Sequence, residues 1–159
     1  MQVEIFGCDT DNEGMMTSRR FADYPRMGYQ ITALYMEDED RVLSCGGYLC
    51  EGDIVSWENC KADVFCYTIG SSDPAFKRDG DLMRGRQNHK MFKVENVFDL
   101  LSTKKVPMIF GGIPTISEIY NPSTNTWSDY RVVPDRNWFG TDCVTYFDES
   151  IWRVRRDLS

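Results

Sequence analysis

Two glycine pairs, Gly46-Gly47 and Gly111-Gly112, stand 65 residues apart, and each closes a short apolar run, "RVLSCGG" and "VPMIFGG". Glycine adopts positive φ freely, and at a strand end it lets another backbone approach closely. A strand that ends twice in this way, at such a distance, marks a repeat. Each glycine-terminated strand also has a strand-like predecessor. Before the first lies "MGYQITALYM", in which Met27, Tyr29, Ile31, Ala33 and Tyr35 alternate with Gln30 and Thr32, followed by the acidic turn Glu37–Asp40. Strict alternation predicts a half-buried strand with those five residues on one face. Before the second lies "HKMFKVE", joined by "NVFDLLSTKK", a stretch that suits either one helical turn or a long hairpin loop. A third copy opens at "DCVTYFDESIWRV", with "RRDLS" where a glycine pair would stand.

A further short strand follows each pair, "DVFCYTI" and then "ISEIYNP", and the opening "QVEIFGC" has the same look. "AFKRDG" and "TWSDYRVV" read as fourth strands. An arginine introduces the next unit each time: Arg26, then Arg84 or Arg86, then Arg136. Aligning Phe6, Tyr67 and Tyr120 gives steps of 61 and 53 residues, with the excess in "YLCEGDIVSWENCKAD", an insertion between second and third strands. Repeats of ~50 residues with four strands each predict an all-β array of small antiparallel sheets. With 42% hydrophobic and 13% aromatic residues the chain can cover such sheets with one another.

The net charge of −7 argues against nucleic acid and against an anionic membrane surface. No apolar run approaches the ~20 residues of a membrane helix, and "MQVEIFGCDT" has neither the basic nor the apolar region of a signal peptide. Catalytic signatures are absent: there is no nucleophile elbow and no phosphate-binding glycine loop. The single histidine, His89, reads as a surface or partly buried structural residue. "DTDNEG", Asp9 to Gly14, spaces its acids like a calcium loop but has Arg20 where the closing glutamate belongs. The expectation is therefore no catalytic residue, no metal and no cofactor.

The segment Glu118 to Trp127, "EIYNPSTNTW", carries the most specific signal. Gly111, Gly112, Tyr120 and Trp127, with six turn-forming residues between the aromatics, resemble the kelch repeat of β-propellers, the fold that galactose-oxidase-type enzymes share. Gly46, Gly47 and Tyr67 match in the middle unit, where Phe76 is the nearest substitute for the tryptophan. The resemblance implies a partial kelch propeller of about three blade-equivalents: third and fourth strands of a blade in 1–24, full blades in 25–82 and 83–133, and first and second strands of a blade in 134–159. Copper chemistry of the galactose-oxidase kind needs several tyrosine and histidine ligands, a set this chain does not supply.

In the kelch frame Cys45 and Cys66 fall on neighbouring strands, and "CGG" followed by "CY" is similar to extracellular kelch proteins. That implies a Cys45–Cys66 disulfide, with buried free thiols as the alternative, and favours the outside of the cell over the cytoplasm. Cys50 and Cys60 flank the insertion and form a second candidate pair. Cys8 and Cys143 have no assigned partner. The function implied is a non-enzymatic protein-interaction module, part of a larger propeller. Its partner is a protein of unknown identity, with neither nucleic acid nor membrane involved. The candidate contact loop is the insertion, with Glu51, Asp53, Trp57 and Glu58. Alternatives are a fragment of a kelch-containing enzyme with its active site elsewhere, or an intracellular substrate adaptor. A homodimer closing the ring is the less favoured assembly.

Overall fold

A computed structural model describes residues 2–9, 15–23, 28–50, 60–70, 72–73, 75–112, 116–132, 143–147 and 150–154. Among them there is no α-helix. β1 (Gln2–Asp9) and β2 (Met15–Asp23) form a two-stranded antiparallel sheet. β4 (Thr32–Met36), β5 (Arg41–Cys45), β8 (Cys66–Gly70) and β9 (Lys77–Arg78) form a four-stranded sheet in that order. β10 (Lys90–Glu95), β11 (Lys105–Phe110), β12 (Ile116–Asn121) and β13 (Thr126–Val132) form another. β14 (Cys143–Phe147) and β15 (Ser150–Val154) make a final two-stranded sheet. β4 lies beside β10, and β10 beside β14, so the first strands of successive sheets adjoin one another. This is an all-β partial propeller: two complete four-stranded antiparallel blades, with a two-stranded sheet before them and another after them in the sequence.

The insertion in the first blade has its own structure. β6 (Tyr48–Cys50) and β7 (Cys60–Ala62) pair with each other, and β6 also pairs with β3 (Gly28–Tyr29). The candidate contact residues Glu51, Asp53, Trp57 and Glu58 lie outside the described residues.

The predicted single strand over 27–36 is broken. Gln30 takes φ of 58°, a left-handed conformation that ends β3 before β4 begins. The buried face of β4 is also the opposite of the one expected. Met36 is buried and Leu34 half-buried, while Ala33 and Tyr35 face solvent. Once the strand is divided at Gln30, its inward face is chosen by the neighbouring blade.

A four-stranded sheet cannot bury its own faces, and here each blade covers the other. One apolar cluster joins Met36, Leu43, Cys45 and Cys66 of the first blade to Met91, Ile109, Tyr120 and Trp127 of the second, with Leu82 from the connection between them. Four of the repeat glycines, Gly46, Gly47, Gly111 and Gly112, have φ of 65°, 97°, 74° and 77°. At Gly112 a Cβ would come within 2.3 Å of the Gln87 carbonyl oxygen, so the approach itself requires glycine.

Candidate functional site

The aromatic residues of the repeat turn inward. Tyr120 and Trp127 are directly opposed across β12 and β13, with ring centroids 5.3 Å apart, and both are buried. The Tyr120 hydroxyl lies 2.6 Å from Asn125 Oδ1 and 3.1 Å from Asp79 Oδ1, and the Trp127 indole donates to the Gly80 carbonyl at 3.0 Å. Asp79 also accepts from Arg41 at 2.7 Å. One turn of the second blade is thereby tied to the connection leaving the first. Burial and the nearby Asp79 carboxylate both raise the Tyr120 pKa. In the first blade Tyr67 is buried and Phe76 half-buried, with the Arg78 guanidinium over the Phe65 and Tyr67 rings.

Arg86, not Arg84, is the interior arginine. Its Nε donates to Glu118 Oε1 at 2.9 Å and its Nη1 to the Gly111 carbonyl at 3.1 Å. Nη2 donates to the Ile116 carbonyl. Glu118 Oε2 accepts the Met83 backbone N–H at 2.7 Å. Loss of water pulls the Arg86 guanidinium below the ordinary arginine range, with Glu118 opposing the shift. Arg84 stays near the surface and pairs with Asp129. His89 corrects the expectation of a surface or partly buried side chain: it is 2% exposed, with Nε2 3.1 Å from the Cys45 carbonyl oxygen. Burial lowers its pKa to about 4. Nδ1 has no hydrogen-bond partner, and the ring fills the space left by Gly46.

Cys45 and Cys66 are bonded across β5 and β8, with Cα atoms 4.2 Å apart, and both are buried. The sulfurs lie in the interblade cluster as cross-linked apolar groups. Among the described residues no group of acids, cysteines and histidine is arranged to hold a metal ion.

Among the described residues, a surface open to recognition lies at the end of the strands carrying the β4–β5, β8–β9, β10–β11 and β12–β13 turns. "EDED" forms an exposed 3-10 turn there, Glu37–Glu39, closed by Asp40 at φ of 45°. Glu37 is ion-paired to Lys93 of β10, which lowers its pKa. A crevice of about 320 Å³ runs between the blades. Its walls carry opposite charges, Asp38 and Glu39 on one side and Lys104 and Lys105 on the other, over a floor of Met36, Val106 and Tyr120. A second hollow of about 330 Å³ sits among Glu39, Arg41, Thr68, Asp73 and Lys77.

Beside the first crevice projects the β10–β11 loop. Val97, Phe98, Leu100 and Leu101 are 39%, 43%, 87% and 95% exposed. No helix holds them. Three side-chain turns at three-residue spacing do: Asn96 Oδ1 accepts Phe98 N at 3.0 Å, Asp99 Oδ1 accepts Leu101 N at 3.2 Å, and Ser102 Oγ accepts Lys104 N at 3.1 Å. Backbone bonds from Asp99 N to Asn96 O and from Ser102 N to Asp99 O close the first two of these turns. Such local bonds compete with helix and keep apolar side chains out in water. The sequence left "NVFDLLSTKK" as one helical turn or a long hairpin loop and gave it no function. The signal was the Asn96, Asp99 and Ser102 spacing inside an apolar run.

No family model matches the chain, and no curated protein matches it. Among solved structures it is similar to YjhT, at 14% sequence identity and a TM-score of 0.62. The likeness covers 87% of this chain and 48% of that one, so the chain spans about half the length of the structure it matches. YjhT is an enzyme. The expectation that this chain is not an enzyme is corrected on that ground: the shared fold supports catalysis there, and missing sequence motifs do not exclude it here. What the likeness establishes for this chain is a kelch-like all-β fold.

Proposed function

We propose that this chain is a recognition segment of a larger kelch-type propeller, holding a protein partner through inter-strand loops at one end of its blades. The β10–β11 loop carries the reading: Leu100 and Leu101 stand 87% and 95% exposed on a loop fixed by its own turns. Apolar side chains held out in an ordered loop lose little conformational freedom on docking, so most of their burial energy appears as affinity. The adjacent crevice, with both charge signs on its rim, supplies orientation rather than affinity. The strand counts support the larger ring. Among the described residues, two four-stranded and two two-stranded sheets of the blade pattern amount to three blade-equivalents, and propellers typically have four or more.

A photo-crosslinking residue at position 100, in the native host, tests this. Expected is one dominant protein adduct, absent when the probe stands at the exposed Lys77 and lost in a Leu101→Ser background. The same adducts from both positions, or none from position 100, would overturn the reading. A second reading places the segment in a kelch-containing enzyme with its chemistry elsewhere on the ring, and the likeness to YjhT favours it.

A further inference from the structure

We infer that Cys50 and Cys60 form a second disulfide, nested inside Cys45–Cys66, which closes residues 51–59 into a covalent loop. The argument rests on ladder parity. In an antiparallel pair, directly opposite residues alternate between hydrogen-bonded and non-hydrogen-bonded positions, and the latter bring their Cα atoms to about 4.5 Å. The known bridge occupies such a position. Gly46 N donates to the Phe65 carbonyl at 3.0 Å, and the next pair outward is Cys45 and Cys66, with Cα atoms 4.2 Å apart.

The β6–β7 ladder has the same phase. Asp63 N donates to the Gly47 carbonyl at 2.8 Å, which makes Gly47 and Asp63 a hydrogen-bonded pair. Continuing outward, Tyr48 faces Ala62, Leu49 faces Lys61, and Cys50 faces Cys60. Strict alternation makes the first of these non-hydrogen-bonded, the second bonded and the third non-hydrogen-bonded. Cys50 and Cys60 thus occupy the class of position that carries the bridge one ladder away. A slip of one residue would place Cys50 opposite Lys61 or residue 59, so the coincidence of both cysteines at one rung is specific to this register.

The chemistry is thiol–disulfide exchange. The thiolate of one cysteine attacks a low-molecular-weight disulfide, releasing one small thiol. The second thiolate then displaces the other. Two protons leave the protein thiols, and the two electrons reduce the small disulfide. The product is a loop tied at its neck by a bridge and, beyond it, by the Cys45–Cys66 disulfide of the same blade.

The test equilibrates the full chain in a mixture of a small thiol and its disulfide, alkylates free thiols, and maps the digest by mass spectrometry without reduction. Expected are two linked peptide pairs, Cys45 with Cys66 and Cys50 with Cys60. In a Cys60→Ser variant Cys50 should become alkylated while Cys45–Cys66 stays closed. Alkylation of both Cys50 and Cys60 in the unmutated chain, whether Cys45–Cys66 is closed or open, would overturn the inference. So would linkage of either residue to Cys8 or Cys143.

Discussion

Arg86 and Glu118 form an ion pair with both side chains 0% exposed, Nη2 standing 2.9 Å from Oε1. One residue comes from the connection between the blades and the other from β12. Arg86 also accepts the Gly47 amide at 2.7 Å and donates its own amide to Asp63 at 3.0 Å. A single residue therefore joins the glycine turn of one blade to the third strand of the next.

Removing one partner leaves the other charge buried alone. Arg86→Ala or Glu118→Ala should cost about 3–5 kcal/mol of unfolding free energy. Arg86→Lys should recover little, because the three donors of an ammonium share one nitrogen and cannot match the planar spread of Nε, Nη1 and Nη2 that reaches Glu118, Gly111 and Ile116. Urea denaturation measures this; a loss under 1 kcal/mol for the alanine variants would show that water enters the site.

His89 makes stability depend on pH. Its pKa is about 4 in the folded chain against 6.5 ordinarily, so the unfolded chain binds the extra proton. The contribution is complete above pH 6.5 and is lost as pH falls towards 4, amounting to about 3 kcal/mol across that window. Carboxylates titrate there too. The check is therefore the difference between wild type and His89→Gln: the wild type should lose more stability between pH 7 and pH 4. Parallel curves would refute it.

The two glycine turns should differ in tolerance. A Cβ at Gly46 meets the His89 Cε1 atom at 2.7 Å, a side chain that can shift slightly, although the Arg86 carbonyl lies at 3.0 Å. A Cβ at Gly112 meets the Gln87 carbonyl oxygen at 2.3 Å, and backbone cannot yield as easily. Both positions also carry positive φ. Gly112→Ala should lower the melting temperature more than Gly46→Ala; the reverse order would mean that His89 is the less movable neighbour.

Trp127 separates packing from hydrogen bonding. Trp127→Ala should cost about 3–5 kcal/mol, as for other buried aromatic truncations. Trp127→Phe should cost less, keeping most of the packing but leaving the Gly80 carbonyl without its 3.0 Å donor. Equal losses in thermal or urea unfolding would assign the whole effect to the hydrogen bond.

Leu100→Ser with Leu101→Ser should leave stability within about 0.5 kcal/mol of wild type, since neither side chain is covered. Melting curves of the double variant check this. A loss of several degrees would mean that the leucines pack on their own blade.

Much of the architecture was legible in the residues alone. Glycine pairs announced where strands end, because only glycine takes positive φ without strain. Tyr120, Asn121-Pro122 and Trp127 announced a tight turn between two strands, because their backbone preferences are local. The kelch resemblance that these signals carry implied the strand order of both four-stranded blades and set Cys45 and Cys66 on neighbouring strands, as a disulfide or as buried thiols; the fold contains the disulfide. Burial was not legible in the same way. Arg86, Glu118 and His89 look like surface residues in a list, and Leu100 and Leu101 look like core. Their environments were decided by the tertiary structure: the packing of the two blades against each other covers the first three residues, and nothing in the described chain covers the two leucines. A local pattern specifies conformation. Which face loses its water depends on the sheet that packs against it, and that sheet lies a whole repeat away in the chain.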